Sequence, residues 1–144
     1  MRKYNREEAV QYTKTWAYSR NPKYYNFDSV GGDCTSFVSQ CIYAGAKVMN
    51  YIQYGLYYKN GNNKSASWSW VEYLYKFLVN NKTAGPYGRE LALSELEKGD
   101  LSSNLNKVEY KHLVCFLYLI VYLNSNLNKL ETSPKPLVKP QNLW

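Results

Sequence analysis

Cys34 is the residue of this chain best placed to do chemistry. It follows Gly31-Gly32-Asp33 and precedes Thr35-Ser36-Phe37-Val38-Ser39-Gln40-Cys41-Ile42, so a glycine turn runs straight into a helix with a thiol in its first turn. Gly31 and Gly32 permit positive φ and a sharp entry. Asp33 is a favoured N-cap, able to accept from the amides near Thr35 and Ser36. The first amides of a helix have no intrahelical partner and carry the positive end of its dipole. That field favours thiolate, the nucleophilic form of cysteine. The same amides can receive an oxyanion when sulfur attacks a carbonyl. The bland alternative is a small apolar residue packed under a turn. That reading fits Cys41, which lies two turns further on among apolar neighbours.

The run Gly31 to Gly45, Gly-Gly-Asp-Cys-Thr-Ser-Phe-Val-Ser-Gln-Cys-Ile-Tyr-Ala-Gly, resembles the nucleophile segment of the bacterial putative amidase domain family. That family belongs to the wider NlpC/P60-like and CHAP-like group of cysteine peptidases and amidases. The similarity takes in Tyr4-Asn5-Arg6-Glu7-Glu8-Ala9-Val10 and Asn21-Pro22-Lys23-Tyr24 upstream. Downstream it takes in Tyr57-Tyr58, Ser67-Trp68 and Leu96-Glu97-Lys98-Gly99-Asp100, so it spans residues 4–101. The resemblance implies an α+β, papain-like (NlpC/P60-like) fold, with N-terminal helices packed on a small antiparallel sheet. It also implies a cysteine amidase or peptidase that cleaves an amide through a thioester on Cys34, with no cofactor. Peptide amides of the bacterial cell wall enter as substrate through the resemblance alone.

Such a reaction needs a base to take the thiol proton and return it to the leaving amine. The chain has one histidine, His112, directly before the apolar run 113–123. In families of this kind a histidine opens a strand that packs against the nucleophile helix, which matches this placement. A third polar residue normally orients the imidazole; Glu131, Asn124 and Asn126 stand open for that role. Asp33 has a second possible use, because related peptidases hold a substrate's free amine with an acidic residue beside the cysteine. Tyr25 and Tyr57 are expected to border the substrate cleft. After Asp100 the sequence departs from the family pattern, as a truncation or frameshift would leave it, and the sheet is expected to be incomplete. A remnant without turnover, or a binding module of the same fold, is therefore the alternative class of function. An acyltransferase using the same pair is the runner-up among enzymes.

Three amphipathic segments must position these groups. Asn5 can cap a helix with Glu8 completing a capping box, and Ala9, Val10, Thr13, Trp16 and Ala17 share a face through Arg20. Asn21-Pro22 ends that helix, and nothing on it asks for chemistry. The Cys34 helix runs to about residue 44, with Gly45 as its stop. Trp68, Val71, Leu74, Tyr75 and Leu78 predict one helix over 68–80. Residues 46–66 read as an irregular aromatic loop with a turn at Asn60-Gly61. Asp100 reads as turn chemistry ahead of the first strand, and 113–123 as a buried strand. The domain spans 4–133, and Pro134, Pro136 and Pro140 make 134–144 a non-helical, poorly packed tail.

With 144 residues the chain makes one domain with a real core. Its 16 tyrosines exceed what a core requires, and tyrosine lines polar clefts readily. The net charge of +7 is scattered rather than run together, so no nucleic-acid arm is expected. A mildly basic surface suits polyanions such as bacterial wall polymers. Three cysteines and one histidine indicate neither a disulfide framework nor a zinc site. No apolar stretch follows Met1-Arg2-Lys3, so no secretory signal is expected; the default location is cytoplasmic, with non-classical release for a wall substrate. The apolar run 113–123 falls short of the ~20 residues a membrane span needs.

Overall fold

In the computed structural model the described residues are 4–30, 33–90, and, as backbone only, 91, 101–102 and 137–140. His112, the run 113–123, Asp100, Gly31-Gly32 and the candidates Asn124, Asn126 and Glu131 lie outside them. The architecture is α+β: helices first, then a small antiparallel sheet. Among the described residues no helix is long and apolar enough to cross a membrane.

Helix α1 spans Arg6–Trp16. Asn5 caps it, its side-chain oxygen accepting from the Glu8 amide at 3.1 Å. Glu8 does not complete the reciprocal box. Its carboxylate takes the Asn5 side-chain amide at 2.9 Å. The Asn5 backbone N–H donates across the fold to Gly45 O at 3.0 Å. Ala9, Val10 and Thr13 are buried against α2 (Cys34–Ala46). The helix stops before Arg20, because Pro22 has no N–H and its ring would meet the carbonyl four residues earlier. Residues 17–21 thereby become a separate segment alongside α2.

Helix α2 is covered on nearly all sides: Val38, Cys41, Ile42, Ala44 and Ala46 are buried, as are Ser36, Ser39 and Gln40. Gly45 does not stop it. The helix continues to Ala46 and closes on Lys47, which takes a left-handed φ of 56°. Gly45 is needed for close approach instead, since a Cβ there would lie 2.7 Å from the Tyr4 ring and from Asn5 O.

The loop after α2 contains a hairpin, β1 (Tyr58–Asn60) and β2 (Asn63–Lys64), about the expected Asn60-Gly61 turn. Asn60 Oδ1 accepts from the amides of Asn62 and Asn63 at 3.0 and 2.9 Å. The expected helix over 68–80 is two helices, α3 (Ala66–Ser69) and α4 (Val71–Asn80), with Trp70 extended between them. The Trp68 carbonyl is taken by the Ser39 hydroxyl at 3.0 Å rather than by an amide further along its own helix. Leu74, Phe77 and Leu78 of α4 then complete one apolar core with Val38, Ile42, Leu56 and Trp68.

A three-stranded sheet follows, in the order β3 (Gly88–Leu91), β5 (Leu137–Pro140), β4 (Leu101–Ser102). Both pairings are antiparallel, with Leu91 opposite Leu137 and Leu101 opposite Val138. The first strand therefore precedes Asp100. The tail, expected to be poorly packed, supplies the central strand at 137–140. Helix α4 contacts both β3 and β5.

Candidate active site

Cys34 is the first residue of α2 and is half-buried. It lies on the wall of a cavity of about 510 Å³. Phe37 and Gln40, one and two turns along the same helix face, line the cavity with it. The opposite wall comes from Trp16 and the segment 17–21, with Tyr24 beyond. The α1 helix thus does more than fill the core, because its last residue, Trp16, lines the same cavity as Cys34.

Asp33 lines the same cavity but does not cap α2. Its backbone sits at φ −98°, ψ 3°, not in the extended region a capping residue usually occupies, and its side chain makes no capping bond. The carboxylate is ion-paired with Arg20, whose guanidinium also holds Asp28. Asp33 Oδ1 is buried with no hydrogen-bond partner among the described residues. Burial pushes the Asp33 carboxyl above its ordinary range, with the Arg20 charge and the Phe27 backbone opposing it.

Behind the thiol runs a polar chain that motif reading missed. Asn21 Nδ2 donates to Tyr12 OH at 2.9 Å, and Tyr12 OH donates to Gln40 Oε1 at 2.7 Å. Gln40 Nε2 and Trp68 Nε1 each donate to Ser36 Oγ at 3.2 Å. Burial pushes the Tyr12 phenol up, so it keeps its proton and remains a donor. The chain fixes the Gln40 amide in the cavity wall. The legible signal is Gln40, a long amide in the middle of a helix that carries no charged side chain.

Cys41 is 1% exposed, with the Thr13 hydroxyl 3.2 Å from its sulfur. Burial pushes its thiol up to about 12. Iodoacetamide near neutral pH is therefore expected to label Cys34 well before Cys41, read by peptide mass spectrometry. Faster labelling of Cys41 would reverse the assignment of the two thiols.

The other candidates are placed as follows. Tyr24, not Tyr25, lines the cavity. Tyr25 is half-exposed, packed on Phe27 at 5.0 Å between ring centres and over Gly61. Tyr57 pairs with Tyr51 at 5.3 Å, also away from the cavity lining. Among the described residues no group of three or more metal-ligating side chains occurs.

The family model described as "Putative amidase domain" matches residues 3–125, a span that includes both Cys34 and His112. A curated Bacillus subtilis (strain 168) protein, described as uncharacterized protein YhbB, is 33% identical over 100 residues. The aligned region is 68% of this chain and 31% of that protein, so the chain spans about a third of its relative's length. No solved structure matches the chain.

Proposed function

Since the chain belongs to the putative amidase domain family, we propose that it hydrolyses an amide through a thioester on Cys34, with His112 as base. The observation that carries this reading is the position of Cys34: first residue of α2, on the wall of a cavity sized for a peptide segment. His112 takes the thiol proton, and the thiolate attacks the amide carbonyl. The tetrahedral oxyanion is met by amides at the start of α2. Collapse breaks the C–N bond, and the imidazolium returns its proton to the departing amine. Water, deprotonated by the same imidazole, then releases the carboxylic acid and restores the thiol.

The papain-like, NlpC/P60-like arrangement belongs to the same proposal, with His112 on a strand facing the sulfur. A peptide amide of the bacterial cell wall is the proposed substrate class, with Asp33 in the wall of the same cavity. Acid quench during turnover of a peptide amide is expected to trap an acyl group on the Cys34 peptide. His112→Ala is expected to slow hydrolysis by about 10²–10⁴-fold while the fold is kept. Unchanged turnover in that variant would remove His112 from the mechanism. Binding without turnover in the wild type would favour a binding module of the same fold.

A further inference from the structure

We propose that Arg20 is a positioning residue for the Cys34 site: by pairing with Asp33 it holds that carboxylate away from the thiol and the first amides of α2. The inference rests on the reading of Cys34 as nucleophile. An aspartate directly before a helix normally turns its carboxylate onto the amides of the first turn. Here that would occupy the groups available to an oxyanion and set a full negative charge where the thiolate forms, disfavouring it. Three observations show that the carboxylate is held elsewhere. Asp33 makes no capping bond. Its one oxygen meets Arg20. Its other oxygen is buried without a partner among the described residues. The Phe27 backbone also favours the carboxylate where it is, but the buried, unsatisfied oxygen carries a desolvation cost that the helix amides would relieve once Arg20 is removed.

The placement of Arg20 is built into the fold. α1 ends at Trp16, and the following segment is tied down by Asn21, which donates to Tyr12 OH at 2.9 Å and accepts from the Lys23 amide at 3.0 Å. The guanidinium then reaches Asp33 with one nitrogen and Asp28 with the other. A planar fork can bridge two carboxylates, whereas an ammonium is a single point charge. The remaining titratable groups lining the cavity are the phenols of Tyr18 and Tyr24.

The test uses the full chain and iodoacetamide, with the Cys34 alkylation rate followed from acid to alkaline pH and folding checked by circular dichroism. Arg20→Met is expected to move the rate profile to higher pH and to slow alkylation at neutral pH by about tenfold. Arg20→Lys is expected to recover part of that loss. In an Asp33→Ala background the shift caused by Arg20→Met is expected to fall below half its size. A shift that keeps more than half its size there would mean that the guanidinium acts directly on the sulfur, and would overturn the proposal. So would the absence of any shift in the Asp33-containing protein. If Arg20→Met does not fold, Arg20→Lys in the two backgrounds carries the same comparison. Alkylation needs no turnover, so its outcome is separate from that of the amidase reading.

Discussion

Cys34→Ala is expected to abolish amide hydrolysis, with a loss on the order of 10⁶-fold in kcat, the scale seen when an enzyme's covalent nucleophile is removed. The size follows from chemistry. Without the sulfur no thioester forms, and the hydrolysis that remains relies on oxyanion donors and binding alone. The fold is expected to survive, because Cys34 is only half-buried and stands at the helix start rather than in the packed face of α2. Steady-state hydrolysis of a peptide amide, with circular dichroism as control, reads both. Cys41→Ala supplies the contrast: it removes a fully buried sulfur held beside Thr13 and is expected to lower stability while sparing the chemistry. Equal turnover of wild type and Cys34→Ala would remove Cys34 and the thioester from the mechanism.

What the sequence disclosed about this site was local, and what it hid was long-range. The Cys34 helix start, the Asn5 cap and the Asn60-Gly61 turn depend on residues a few positions apart, and all three stand in the structure. Asp33 has the residue type of a cap, but its partner Arg20 lies 13 residues earlier, across a loop. Gly45 shows the same ambiguity: a glycine near a helix end reads as a stop, and only the approach of Tyr4 and Asn5 shows why it lies inside the helix. The break at Trp70 depends on Ser39, 29 residues before Trp68, taking a carbonyl from the helix ladder. The segment 137–140 reads as tail in the sequence, because Pro134, Pro136 and Pro140 are visible there and the partner strands β3 and β4 are not. His112 and the run 113–123 fall outside the described residues, so the proposed base rests on the chemistry a thiol nucleophile needs and on the sequence resemblance.

Trp68→Ala is expected to destabilise the domain by about 3–5 kcal/mol, the usual range for removing a fully buried large aromatic. That is a large part of the roughly 5–15 kcal/mol that holds a native domain together. Trp68 is 0% exposed and lies between Tyr24 and Tyr58, with ring centres 5.6 and 5.2 Å away. Each such pair adds about 0.5–1.5 kcal/mol beyond area burial. The indole N–H also donates to Ser36 Oγ, joining the core to the polar chain that fixes Gln40. Trp68→Phe separates these contributions, since it keeps a stacked ring and loses the donor. The phenylalanine variant is expected to cost about 1–2 kcal/mol, of which a lost hydrogen bond accounts for about 0.5–1.5 kcal/mol. Tyr24 and Gln40 both line the Cys34 cavity, so the alanine variant is also expected to lower turnover at temperatures where it remains folded. Urea unfolding of the two variants, with hydrolysis rates measured well below each midpoint, distinguishes loss of packing from loss of site geometry. A cost under about 1 kcal/mol for Trp68→Ala, outside the range for such truncations, would mean that Trp68 is not the centre of the core joining α2, α3 and the Tyr24 wall.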